Sequence, residues 1–309
     1  MFKNKTSSLL NLLLITILTA SLFNGCIDRQ TSGKNSFDIA SDLNNDGVII
    51  SKDGDEKKAI ENFTKAIKLE PEYIDALYNR AFSYLVLGKF KKAMKDAKRI
   101  IEIEPKNPIG YHLKGMIHED KGKNDLALEC YDKAIELFPQ FLQARYDRGK
   151  LCIDMGFYEK AVNDFNFVLY ITPDNYEANY YRAVALDKFG KFDSAIIDYF
   201  IPLRYDSDYS DVLNDIAWKY VTSKDPKQRE PDKGLTIALK LVDIYRSPDY
   251  LHTLAAAFAE TGDFDKAYEL EEEAISYRAL EPEQDDFNYE ALLEAYKQKK
   301  TYLEYIEYK

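Results

Sequence analysis

Four oxygen-bearing side chains, Asp42, Asn44, Asp46 and Asp53, stand around Gly47 in the stretch SDLNNDGVIISKDGD. Their offsets are those at which a loop wraps a hard cation: alternate residues present oxygens, a glycine allows the sharp turn, and a final acid closes the shell. Calcium is the ion such a loop would hold. Two departures count against it. Ile50 offers no side-chain oxygen where such loops often place a ligand, and Asp53 is shorter than the glutamate that usually closes the site with both oxygens.

The other chemistry-bearing residues are scattered. His112 and His118 are six apart, which on one helix turns them to different faces, so they do not share a metal as residues four apart can. Cys130 and Cys152 fall in amphipathic helical segments, are too few for a disulfide framework or zinc cluster, and read as buried free thiols. There is no phosphate-binding glycine loop, nucleophile elbow or paired-cysteine motif. Acidic pairs such as Glu119 and Asp120 read as solvated helix faces, and His252 has no catalytic company in the sequence. An enzyme is therefore not expected, nor is a cofactor. The net charge of −11 disfavours nucleic acid, whose phosphates are bound by clustered Lys and Arg that release counterions.

What must position these residues is a repeat. Ala59, Ala93, Ala127, Ala161 and Ala195 are each 34 residues apart, as are Gly54, Gly88, Gly122, Gly156 and Gly190, and Pro71, Pro105, Pro139 and Pro173. Each period reads as two helices. Glycine, free to adopt a left-handed backbone, stops the first. Proline, which disfavours helical geometry in the residue before it, stops the second. The alanines on the second helix and a small column on the first, Gly47, Ala81, Gly115, Gly149 and Ala183, let the two axes approach closely. Phe90, Tyr158, Phe192 and Phe264, two residues after a glycine, would fill the seam at the turn.

This pattern resembles the tetratricopeptide repeat, a helix-turn-helix unit of 34 residues, over nearly all of the chain after its first few dozen residues. The resemblance implies an all-α fold: a right-handed superhelical solenoid of about seven units, near 40–73, 74–107, 108–141, 142–175, 176–209, 210–247 and 248–281, with a capping helix over 282–309 to cover the last apolar face. Two irregularities are expected. Pro202 falls inside a second helix and should kink or shorten it, and the unit containing TSKDPKQREP carries about five extra residues between its helices.

The quoted stretch also resembles a dockerin or EF-hand loop, but Gly47 and Gly54 both stand in register with the repeat. The two readings exclude each other, because calcium ligands need a looped backbone where the repeat needs a helix. The repeat is preferred, with a calcium-responsive module as the alternative. Its Ser, Asp, Asn and Gly are weak helix formers, so this helix is expected to fray and the first repeat to be the least stable.

Ahead of the repeats, a basic start and the apolar run from Leu9 to Phe23 read as a signal peptide over 1–25. The sequence LFNGC resembles a bacterial lipobox, which implies lipidation of Cys26 and anchoring to a membrane of the cell envelope without spanning it. Residues 26–39 are polar and read as a flexible tether. Ile27 follows the cysteine and Asp28 comes one place later, which leans towards the outer membrane or surface.

In this family the first helices line the concave side, so columns on them mark a candidate groove for a protein or peptide. One column is Asn44, Tyr78, His112, Tyr146 and Tyr180; a second is Val48, Phe82, Met116, Lys150 and Val184; a third is Ser51, Leu85, Glu119, Ile153 and Asp187. Tyr78, His112, Tyr146, Tyr180, Phe82 and Lys150 are the expected groove residues, with rigid aromatics as anchors and Tyr146 and Tyr180 expected to be exposed. A basic column, Arg80, Lys114, Arg148 and Arg182, is expected to form salt links between neighbouring repeats.

Overall fold

The computed structural model describes residues 35–278 and 289–307. The signal peptide, the lipidation cysteine Cys26 and most of the tether lie outside them. The described chain is all helical and divides into two compact units, one ending at Tyr181 and the other beginning at Arg182.

The first unit is a run of antiparallel pairs. α1 (Ser36–Lys52) pairs with α2 (Glu56–Leu69), α3 (Ile74–Val86) with α4 (Phe90–Ile103), α5 (Pro108–Asp120) with α6 (Asn124–Leu137), and α7 (Leu142–Asp154) with α8 (Tyr158–Ile171). The division falls within α9 (Tyr176–Lys188). Every turn glycine has a positive φ, for example 67° at Gly88, whose N–H donates to the Leu85 carbonyl at 2.8 Å and so ends α3. Three of the four second helices stop on an extended residue directly before a proline, with ψ of 90° at both Glu70 and Glu104.

Side chains lock these pairs together. Gly47 and Gly149 face the rings of Phe63 and Phe165, where an added Cβ would lie 2.5 and 2.8 Å from ring carbon, and Gly115 faces Tyr131 in the same way. Ala81 shares its cluster with Ala97, sixteen residues on, so the seam holds one small side and varies the other. Leu113 and Ile117 of α5 pack into the cluster of Leu77, Leu85 and Ile100, which joins one repeat to the next.

The stretch that resembles a calcium loop is helix throughout. Asn35 and Asp38 form a reciprocal capping box at the start of α1, and Phe37 packs on Tyr73 with ring centroids 5.4 Å apart. The helix therefore begins at Ser36, four residues inside the expected tether. Asn44 is buried and its side-chain oxygen accepts from Asn79 at 2.9 Å. Asp42, Asn44, Asp46 and Asp53 thus have no loop to bring them round one ion: on a helix, residues two apart point to different sides. The calcium reading is corrected on this ground.

In the second unit, α10 (Phe192–Tyr199) is only 8 residues long where α8 has 14, and a short 3-10 turn at Pro202–Arg204 follows it. Proline has shortened the helix as expected. α11 (Tyr209–Thr222) and α12 (Pro231–Ile244) are joined by residues 223–230, five more than the three-residue turns elsewhere. α13 (Pro248–Glu260) pairs with α14 (Phe264–Arg278). The C-terminal segment differs from the expected single capping helix. It forms two short ones among the described residues, α15 (Tyr289–Lys297) and α16 (Tyr302–Glu307), separated by a reversal at Lys299, whose φ is 55°.

Candidate functional site

The face formed by the first helices of the first unit carries most of the expected groove residues, but burial divides them. Tyr78, His112 and Tyr146 are buried between repeats, whereas Phe82, Lys150 and Tyr180 keep some exposure. Tyr146 is the clearest departure from expectation, at 6% exposed. Its ring meets Phe165 and Tyr181 edge-on at 5.9 and 5.7 Å, and its hydroxyl donates to Glu177 at 3.3 Å. The polar neighbours that suggested exposure belong to other faces of the same helix.

His112 is wholly buried, with Nε2 2.7 Å from Asp147 Oδ2 and Nδ1 without a hydrogen-bond partner. Gln143 donates to the same carboxylate at 3.1 Å. Glu119 accepts from the Tyr131 hydroxyl at 2.6 Å. Burial pushes the Glu119 carboxyl up to about 6 despite that bond, and Asp147 adds to the rise.

Lys150 stands among these groups. Its ammonium lies 5.7 Å from the centroid of Tyr146 and 5.3 Å from that of Tyr181. It has no hydrogen bond or ion pair among the described residues. Burial works against its charge, but the Tyr181 hydroxyl and the carboxylates of Asp147, Glu119 and Glu177 outweigh it and hold its pKa above the ordinary lysine value. Each of those carboxylates is engaged by another donor, which leaves a cation in an aromatic frame with no fixed anion. Beside it, burial raises Tyr180 to about 12.

The basic column is structural, but not in the expected way. Arg80 grips Asp96 with two bonds of 2.8 and 2.7 Å, Arg148 grips Asp164 at 2.8 and 2.6 Å, and Arg182 grips Asp198 at 2.6 and 2.8 Å. Every pair is sixteen residues apart, so it joins the two helices of one repeat rather than neighbouring repeats. Arg148 adds a bond to Asp132 of the preceding repeat. At the matching places of the third repeat stand Lys114 and Cys130. Cys130 is half-buried, and the buried Cys152 thiol is pushed up to about 11 by burial, which makes it a poor nucleophile.

Sequence reasoning missed one residue of this face and two at the matching places of the second unit. Tyr181 stacks on Phe165 at 6.0 Å beside Lys150. In the second unit, Trp218 falls on the column of Lys150, 68 residues later, and His252 stands three residues before the small position Ala255, as Tyr146 stands before Gly149. The register carries through once the five extra residues at 223–230, less one in the shorter connection at 245–247, are allowed for. His252 Nδ1 lies 2.9 and 2.8 Å from the two oxygens of the fully buried Glu271, and the Trp218 ring lies 5.1 Å from the imidazole. Among the described residues no group of three or more His, Cys, Asp or Glu could hold a metal ion.

Family models described as tetratricopeptide repeat match residues 47–73, 74–107, 108–141, 153–200 and 248–272. An uncharacterized protein of Methanocaldococcus jannaschii is 46% identical over 44 residues, which are 14% of this chain and 51% of that protein. The chain thus spans about half the length of that curated relative. Among solved structures, PilF of Pseudomonas aeruginosa superposes with a TM-score of 0.54 at 17% identity, over 70% of this chain and 97% of that one. A tetratricopeptide repeat protein of Parabacteroides merdae gives 0.49 at 16% identity, over 84% of this chain and 98% of that one.

Proposed function

The chain belongs to the tetratricopeptide repeat family of protein-interaction scaffolds, and from that premise we propose that it binds a peptide or protein segment along the first-helix face of its first unit. The observation that carries this reading is Lys150, a half-buried lysine whose ammonium is framed by tyrosine rings and lacks a committed anion. Phe82 and Tyr180 offer partly exposed aromatic surface in the neighbouring register positions. Rigid aromatics beside a charge are the usual anchors of a segment laid along a groove. Tyr78, His112 and Tyr146 hold the face in shape from beneath and are not themselves contact residues.

The test is affinity capture with the wild type and with Lys150→Glu and Tyr180→Ala variants whose helix content is unchanged. Proteins retained by the wild type and lost from both variants support the face; an unchanged set sinks it.

The scaffold is also proposed to act at a membrane of the cell envelope, held by acyl chains on Cys26, with the outer membrane or surface favoured by Ile27 in the following position. A single acyl chain binds a membrane only marginally, so more than one is required for stable anchoring. Metabolic labelling with a radioactive fatty acid should mark the wild type and not Cys26→Ser. Absence of label from the wild type ends the anchor.

A further inference from the structure

The C-terminal helix of the second unit packs on the first helices of that unit. The three groove columns continue into this unit as Asn214, Trp218 and Val221 on α11, and as His252, Ala256 and Ala259 on α13. Tyr302, the first residue of α16, sets its ring 4.8 Å from Trp218 at 71° and 6.2 Å from His252 at 82°. Tyr302 also packs against the cluster of Val221, Ala256 and Ala257. One side chain of the C-terminal segment therefore meets both the column of Trp218 and that of His252, in two successive repeats. Its neighbour follows the main chain in: the Leu303 N–H donates to Glu260 at 3.5 Å.

Capping alone does not require this. The end of the last repeat is covered by Leu292, Ala295 and Tyr296 of α15 together with Tyr305 of α16, packed beside Ala255, Ala259 and Ala267, whereas Tyr302 reaches past that cluster to Trp218 of the preceding repeat. α16 is reached only after the reversal at Lys299, and it spans 6 residues, too few to be helical in isolation. A reciprocal cap between Thr301 and Glu304 and the contacts with the face are what order it. A short segment that becomes helical only against a groove behaves as a tethered ligand, and the tether gives it a high effective concentration.

We infer that the Trp218 and His252 face of the second unit is a second docking site, held shut by this chain's own C-terminal segment, and that it receives a partner segment of the same chemistry. That chemistry is an aromatic anchor followed by an apolar residue and an acid within one helical turn, as in TYLEYIE. The inference rests on the reading of first-helix faces as peptide-binding surfaces, but it concerns a different unit and different residues.

Trp218 is the sole tryptophan of the chain, so its fluorescence reports the site directly. The probe is a synthetic peptide of residues 299–309, which contains no tryptophan, titrated into the full chain as wild type, Tyr302→Ala and Glu304→Gly. Tyr302→Ala empties the anchor position. Glu304→Gly removes the exposed half of the cap and loosens α16 while keeping every buried side chain of α13 to α15, so it decides the question by the same criterion if circular dichroism shows Tyr302→Ala misfolded.

The peptide is expected to bind the folded variant at least tenfold more tightly than it binds the wild type, and a peptide with its own Tyr302→Ala change at least tenfold more weakly than the unaltered one. Equal affinity for variant and wild type, or no binding to a folded variant, overturns the inference. Either result leaves the Lys150 face to be judged by its own capture experiment. Loss of captured proteins from Lys150→Glu, with no peptide binding here, would sink only the second site.

Discussion

Removing one partner of the Arg80–Asp96 pair should cost far more than removing both. The Asp96 side chain is 4% exposed and that of Arg80 17%, and two near-ideal bonds join them across α3 and α4. Arg80→Met keeps the length and apolar stem but leaves Asp96 as a buried charge without its counterion. Breaking a buried pair in this way costs about 3–5 kcal/mol, which is roughly two to three and a half orders of magnitude in the local opening equilibrium. Replacing both with apolar residues, Arg80→Met with Asp96→Leu, removes the stranded charge and should come within about 1–2 kcal/mol of wild type. A solenoid need not unfold in one step, so the assay should be local: hydrogen exchange of the α3 and α4 amides, with the α7 amides as internal control. The single substitution should accelerate exchange in α3 and α4, and the double should largely restore protection. A single variant as protected as wild type, or a double variant worse than the single, would refute the assignment of this pair as a staple whose cost lies in desolvation.

Gly149→Ala should destabilise the fourth repeat even though alanine is the better helix former by about 1 kcal/mol. The new Cβ would meet three carbons of Phe165 at 2.8 to 3.2 Å, and that ring is fully buried between Tyr146 and Tyr181. Overpacking of this kind costs about 1–3 kcal/mol, so a net loss of about 1 kcal/mol is expected in thermal melts, and a gain would contradict the close approach. Glu119 should make the first unit less stable as pH rises. Its folded pKa of about 6 lies above its ordinary value of 4.5, so the protonated form is favoured by the fold. The contribution is whole below pH 4.5, is lost through about 6, and amounts to about 2 kcal/mol, which Glu119→Gln should remove from a stability profile between pH 4 and 7. The first repeat should exchange its amides faster than the helix around Tyr146, because α1 carries Asn44, Asn45, Asp46 and Gly47 in its interior. Equal protection would show that the capping box and the Phe37–Tyr73 contact offset that composition.

The period determined the fold from the sequence alone. Each repeat makes the same local contacts, so a glycine at Gly88 or Gly122 and the proline at Pro105 state where a helix stops wherever they recur. Pro202 and the insertion at 223–230 were legible for the same reason: they break a rule that the rest of the chain keeps. The calcium-like stretch shows the limit of a short motif, since Gly47 serves the ring of Phe63 rather than a turn.

What the tertiary structure decided is which residues of a column are covered. A column at period 34 specifies a face, but burial depends on what the neighbouring helices present to it. Tyr146 and Lys150 sit one turn apart on α7, yet Phe165 and Tyr181 bury the first ring while the second residue is only half-buried. The arginines were placed on the right helix, but their partners lie sixteen residues away, across a seam that no local pattern displays. The return of Tyr302 onto Trp218 was the least legible feature. It joins residues 84 apart through a reversal at Lys299, and a contact of that range leaves no periodic trace in the sequence that makes it.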